Sequence, residues 1–90
     1  MSINLINVGY DNYVSSERVI AVVSPESAPV KRMIQEAKEE RRLIDATFGK
    51  KTKAVLITDS DHIVLTSLET SVMMQRFNQT ESIYPEDAEE

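Results

Sequence analysis

Two apolar runs separated by a short polar turn constrain the fold of this chain more than any other feature. The runs are Ala54–Ile57 and Ile63–Leu65, and the letters TDSDH lie between them. Aspartate and serine favour tight turns because their side chains hydrogen-bond to the nearby backbone. β-Branched residues are frequent in both runs, which favours strands. The sequence therefore predicts a hairpin that supplies two strands of a sheet.

Three further segments have the composition of strands. Ile3–Val8 begins with an alternation of apolar and polar residues and ends before Gly9, and Arg18–Ser24 is almost entirely apolar. Leu43–Thr47 is a shorter candidate. Because these strands lie on both sides of a helical segment, we expect an α+β domain with a small, largely antiparallel sheet.

One main helix is predicted between the second and third of these segments. Its start is marked by Ser24 or Ser27 as a cap and by a proline that suits a first turn. We expect Arg41 and Arg42 at its C-terminal end, where cations interact favourably with the helix dipole. An apolar stripe at helical spacing is formed by Val30, Met33, Ile34 and Ala37.

A short C-terminal helix and a polar tail are predicted after the hairpin. The helix is indicated by Leu68, Val72, Met73 and Phe77. After Asn78 the apolar pattern stops, so we expect a domain of residues 1–78 followed by an acidic, disordered tail of residues 79–90. The net charge of −5 reflects this tail, because residues 1–80 contain ten acidic and ten basic residues.

The small size of the chain favours self-association. A chain of 90 residues buries only about 60–65% of the surface that its unfolded form exposes. It contains no cysteine, so no disulfide can stabilise it. Several short strands also leave an apolar sheet edge without an obvious cover, and a second subunit could cover it. We therefore expect an oligomer.

A basic cluster is the first candidate for a functional site. Lys50, Lys51 and Lys53 follow Gly49 closely, with Arg41 and Arg42 upstream. No acidic residue lies within four positions of Lys50 or Lys51. Lysines on a loop suit contacts with phosphate groups, so the cluster predicts a polyanion-binding surface. The alternative is an ordinary solvated turn.

Arg18 is the second candidate, at the polar start of a predicted buried strand. It either extends the basic surface or forms an ion pair at the edge of the sheet with Glu17 or another neighbour.

Residues that could support catalysis or metal binding are few. Asp59, Asp61 and His62 could contact a divalent cation, but a tight turn requires such residues anyway. Ser60 and His62 share that turn, which we do not expect to present a base to a nucleophile. The two glycines are too few for a phosphate-binding loop. We therefore predict neither an enzyme nor a cofactor, and no small-molecule substrate is evident.

The sequence also bears on location. No stretch approaches the roughly 18 apolar residues of a membrane span, and the start lacks the pattern of a signal peptide. The absence of cysteine fits a reducing compartment. We expect a cytoplasmic protein without a membrane partner.

The order and spacing of four segments resemble the RemA-like family, the bacterial extracellular-matrix regulatory proteins. The similarity extends from Ile6 to Leu65. Its most specific segments are NVGYDNYV, RVIAVVSPESAPVKRMI, DATFGKKTKAV and DSDHIVL.

This resemblance implies a DNA-binding activator of matrix and biofilm genes that assembles into ring-like homo-oligomers and binds double-stranded DNA through repeated basic sites. The family's DNA-contacting positions correspond to Arg18, Lys50 and Lys51, and Lys53 joins them from the cluster described above. Family members usually carry arginines where this chain has GKK. Lysine keeps the charge but loses the bidentate contact to guanine.

Two other functions remain open from the residues alone. A protein-interaction or scaffold module could use the basic loop to contact other subunits or an acidic partner. RNA binding is disfavoured because Tyr10, Tyr13 and Phe48 are a small set for base stacking.

Overall fold

The computed structural model describes the backbone of residues 4–81 and the side chains of residues 4–78. This part of the chain has an α+β fold, as predicted. The strands and helices, in chain order, are β1 (Leu5–Gly9), β2 (Asn12–Ser15), β3 (Val19–Val23), α1 (Ala28–Glu39), β4 (Leu43–Asp45), β5 (Ala54–Thr58), β6 (Ile63–Thr66) and α2 (Thr70–Glu81).

The main sheet has four strands in the order β3-β5-β6-β4. Strand β5 is antiparallel to both β3 and β6, which confirms the predicted hairpin, whereas β4 is parallel to β6. Strands β1 and β2 form a separate antiparallel pair. The sheet structure is therefore largely antiparallel, as predicted, but it is divided into two sheets.

Strand β2 was not predicted, because the turn before it does not have the usual composition. Tyr10 and Asp11 connect β1 to β2 and have positive φ angles of 53° and 64°. Positive φ at both central residues defines the type I′ hairpin turn, in which asparagine and glycine are preferred. The side chain of Asn12 donates to Gly9 O at 2.9 Å. Because Tyr10 occupies the first central position of the turn, the sequence lacks the usual signal for this hairpin.

The main sheet is covered on both faces. On one face, Val30 and Ala37 of α1 pack with Val55 and Leu65. On the other, the β1–β2 hairpin and α2 pack over Leu56, Val64 and their neighbours. Burial on both sides explains why β5 and β6 are continuous apolar runs in the sequence.

Helix α1 has the predicted apolar stripe but ends earlier than expected. Ser27 Oγ accepts a hydrogen bond from Val30 N at 3.3 Å and caps the start. The helix ends at Glu39, so Arg41 and Arg42 lie beyond it, contrary to the prediction. Arg41 has a φ of 61°, and Arg42 N donates to Ala37 O at 2.8 Å, which closes the helix end.

Helix α2 begins after Leu68 and buries Met73 completely. It continues to Glu81, beyond Asn78, where the apolar pattern ends. Arg76 Nη1 donates to Asn7 O at 2.7 Å and connects α2 to β1. Residues 82–90 lie outside the described residues, so the proposed tail stays a prediction.

Candidate nucleic-acid interface

The basic loop, defined here as residues 46–53, connects β4 to β5 and is anchored at its start. Asp45 Oδ1 accepts hydrogen bonds from Thr47 Oγ1 at 2.6 Å and from Thr47 N at 2.9 Å. These two hydrogen bonds, chiefly the one from the Thr47 side chain, lower the pKa of Asp45. Because Thr47 is buried, the first residues of the loop are fixed against the body of the domain.

A tight turn at the tip presents the lysines. Lys50 N donates to Thr47 O at 3.0 Å across Phe48 and Gly49. The φ angles of these two residues are 55° and 81°, again the combination of a type I′ turn. Gly49 suits that conformation, and a Cβ there would meet no atom within 4 Å apart from those of its chain neighbours. The turn therefore projects into open space.

The structure brings the three predicted lysines together. Lys50, Lys51 and Lys53 are exposed and line one shallow depression of about 360 Å³, together with Tyr10 and Ser67. Among the residues with described side chains, no carboxylate forms an ion pair with Lys50 or Lys51. Lys53 Nζ lies 3.9 Å from Glu69 Oε2, a long and exposed contact. Two cations of the loop are thus available to an anionic partner.

Arg18 lies at the other end of β5. Asp59 N donates to Arg18 O at 2.8 Å, whereas Lys53 directly precedes β5. Six residues of extended chain separate Lys53 from Asp59, a distance of about 20 Å. Within the chain, the structure does not bring Arg18 to the lysines.

Arg18 also has an acidic partner. Its Nε donates to Asp59 Oδ1 at 2.8 Å, and both side chains are exposed. This hydrogen bond, together with the attraction between the charges, raises the pKa of Arg18. The sequence suggested Glu17 or another neighbour as the partner of Arg18, but the observed partner, Asp59, lies 41 positions away in sequence. Asp59 therefore offsets part of the charge that Arg18 could offer to an anion.

The two upstream arginines, Arg41 and Arg42, also lie near the end of β5 that precedes Asp59. Arg42 Nη2 lies 2.7 Å from Glu40 Oε1, and Arg42 Nη1 donates to Asp61 O. Asp61 follows the same strand end as Asp59. Arg41 and Arg42 therefore do not extend the basic loop, and Arg42 is committed to structural contacts.

The turn between β5 and β6 holds its polar groups among themselves. Contrary to expectation, Ser60 Oγ lies 2.8 Å from His62 Nδ1. Thr58 Oγ1 accepts from His62 N at 3.0 Å, and Asp59 is paired with Arg18 rather than with the imidazole. The described residues contain no group of three side chains suited to bind a metal ion. The arrangement is that of an internally bonded turn.

Two aromatic side chains, which the sequence suggested only as members of a small set for base stacking, contact each other near the loop tip. The rings of Tyr10 and Phe48 stack with their centroids 4.9 Å apart and an interplanar angle of 24°. Tyr10 is 48% exposed and Phe48 is 77% exposed. The available signal was that each adjoins a glycine in a turn, since Tyr10 follows Gly9 and Phe48 precedes Gly49.

Comparison with known proteins agrees with the predicted resemblance. A protein of Thermoanaerobacter sp. (strain X514) is 52% identical over 90 residues, covering 100% of this chain and 94% of the relative. A protein of Halothermothrix orenii is 58% identical over 78 residues, covering 87% of this chain and 93% of the relative. Both carry the provisional name of regulatory protein, which points away from an enzyme.

Residues 4–81 contain no helix that could span a membrane.

A family model matches most of the chain. The family model described as extracellular matrix regulatory protein A-like matches residues 5–77, which include the basic loop and every described strand. The chain therefore belongs to the RemA-like family of regulatory proteins.

Proposed function

We propose that this protein regulates transcription by binding double-stranded DNA through basic loops repeated on a homo-oligomer. The observation that carries this proposal is the pair Lys50 and Lys51, which are exposed on an anchored turn and have no acidic partner among the residues with described side chains. The family description supports regulation of extracellular matrix genes, and we propose that this regulation is activation. The cytoplasm is the compartment in which this binding would occur.

Self-association is required because one loop offers few contacts. Two phosphate contacts give weak binding at physiological salt, whereas several linked copies raise the effective concentration for each further contact. The outer strands of the main sheet, β3 and β4, each have one edge that pairs with no other strand of the described residues. Ile20 on β3 and Ile44 on β4 are 67% and 48% exposed. A neighbouring copy at each of these opposite edges would cover the exposed isoleucine there and repeat the loops along one assembly.

The same exposed strands support the second candidate, a protein-interaction module. In that case the free edges would bind another protein, and the basic loop would contribute subunit or partner contacts. The two functions differ in whether duplex DNA joins the assembly.

Light scattering tests the proposal by measuring mass with and without DNA. We expect the free protein to have several times the subunit mass of 10.2 kDa. A duplex of about 40 base pairs, roughly 140 Å long, should form a complex that contains several subunits. An oligomer that leaves the duplex unbound would support the interaction module, and a monomer that leaves it unbound would contradict the proposed DNA-binding oligomer.

The Arg18–Asp59 ion pair gives a prediction with a defined sign. If Arg18 contacts phosphate, Asp59→Asn should tighten duplex binding by about two- to fivefold, because it releases the guanidinium from an exposed pair. Fluorescence anisotropy with a labelled duplex measures the effect.

Asp61→Asn is the matched control for this substitution. It removes the same charge from the same turn, and asparagine tolerates the positive φ of 67° at that position. We expect a smaller gain in affinity for this variant. Equal gains for the two variants would show a general charge effect and would argue against a contact by Arg18.

A further inference from the structure

The stacked rings of Tyr10 and Phe48 occupy unusual backbone positions. Each is the first central residue of a turn in which both central φ angles are positive, with values of 53° at Tyr10 and 55° at Phe48. Bulky side chains rarely adopt this conformation, and asparagine or glycine normally takes this place. Phe48 is 77% exposed, so burial of its ring gives little compensation. A function that requires the ring outside the domain would explain its position.

Tyr10 fixes the direction of Phe48. The rings come from separate connections, the β1–β2 turn and the basic loop, and stack at 4.9 Å. The hairpin itself is held to the main sheet by Thr66 Oγ1, which donates to Val8 O at 2.7 Å. Tyr10 therefore supports one face of Phe48 from a fixed element, and the rest of the Phe48 ring projects into solvent.

One of the two rings borders the lysines directly, and the other lies next to them in the chain. Tyr10 lines the depression formed by the three lysines, and Phe48 is separated from Lys50 by Gly49 alone. A ligand at this site would meet ammonium groups and an aromatic ring together. Duplex DNA offers phosphates beside an apolar base stack. A second copy docking through this same face would instead bring lysines against lysines.

We propose that Phe48, supported by Tyr10, inserts between two base pairs of the duplex while Lys50 and Lys51 hold the flanking phosphates. This inference rests on the proposed function and adds a source of sequence preference to it. Apolar side chains that enter a base step from the minor groove unstack it and kink the duplex. Pyrimidine–purine steps are unstacked most readily, so TA or CA steps are preferred without hydrogen bonds to base edges.

The test uses the full-length protein and duplexes with 2-aminopurine at a central TA step. Wild-type protein should increase the fluorescence severalfold at saturation, because 2-aminopurine brightens when it is unstacked. Phe48→Ala should remove this increase, weaken binding by about tenfold and abolish the preference for TA over GC steps. Phe48→Leu, which keeps an apolar wedge, should retain most of the signal.

Further variants separate insertion from effects on folding or charge. Phe48→Asn suits the positive φ and should lose the signal while its thermal unfolding midpoint is maintained. Lys50→Ala should weaken binding but leave the fluorescence at saturation unchanged. Tyr13→Ala removes an exposed tyrosine (54% exposed) from the hairpin strand β2 and serves as the aromatic control.

The possible results distinguish failure of the Phe48 insertion from failure of the proposed DNA-binding function. If wild-type protein binds the duplex but Phe48→Ala changes neither affinity nor fluorescence, the wedge is wrong and the proposed function stands. If wild-type protein binds no duplex, the proposed function itself fails. Tighter binding to the single strand than to the duplex would replace insertion by base stacking and overturn the wedge.

Discussion

Replacing both Lys50 and Lys51 by alanine is expected to weaken duplex binding by about a hundredfold or more at an ionic strength of about 0.1 M. The two side chains are exposed and have no carboxylate partner among the residues with described side chains. Their loss therefore removes phosphate contacts without breaking an ion pair of the domain. Because every subunit of an oligomer carries the same loop, the loss is repeated along the duplex. Fluorescence anisotropy with a labelled duplex measures the dissociation constant.

Lys31→Ala/Lys38→Ala is the matched control for that double variant. Both lysines lie on α1 and are exposed, so the same charge is removed from the face opposite the hairpin and α2. We expect less than a threefold change in affinity and an unchanged mass for the free protein. Equal losses for the two double variants would show that net charge, and not the basic loop, governs binding. A changed mass for the loop variant would indicate that the loop lies in a subunit interface.

Thr66→Val is expected to produce the largest loss of stability among the substitutions considered. Thr66 is completely buried, and its hydroxyl donates to Val8 O at 2.7 Å and accepts from Leu68 N at 3.1 Å. Valine has nearly the same shape but leaves both backbone groups without this partner. The free energy of unfolding should fall by about 2–3 kcal/mol. For a domain of this size, the melting temperature should fall by roughly 10–20 °C.

Thr66→Ser separates the hydroxyl from the packing of the methyl group. Serine keeps both hydrogen bonds and loses one buried methyl, which should cost only about 1 kcal/mol. Calorimetry or thermal unfolding followed by circular dichroism compares the two variants. If Thr66→Val is as stable as Thr66→Ser, the hydroxyl does not hold the hairpin to the main sheet, and the support of Phe48 by Tyr10 loses its basis.

The parts of the fold that were predictable have strong local patterns. The apolar runs on either side of TDSDH identify β5 and β6, because both strands are buried on two faces. The stripe from Val30 to Ala37 identifies α1. Strand β2 has no comparable signal, since its turn carries Tyr10 and Asp11 instead of asparagine and glycine. The parallel pairing of β4 with β6 depends on a crossover through non-local contacts, which short segments do not encode.

The candidate site was predictable to a similar extent. Lys50, Lys51 and Lys53 were found because adjacent residues on a short loop necessarily remain close. The ion pair between Arg18 and Asp59 joins residues 41 positions apart, and its location depends on how β3 pairs with β5. The stack of Tyr10 on Phe48 requires the hairpin to lie over the main sheet. Neither contact leaves a periodic signal in the sequence.

The salt dependence of duplex binding tests most directly whether repeated basic loops bind DNA phosphates. If three or four subunits each contribute about two contacts, the logarithm of the binding constant should fall against the logarithm of salt concentration with a slope of roughly −5 to −7. The Lys50→Ala/Lys51→Ala variant, measured over the same salt series, should give a much shallower slope. A nearly flat response of the wild-type protein, or the same slope for both proteins, would contradict the account.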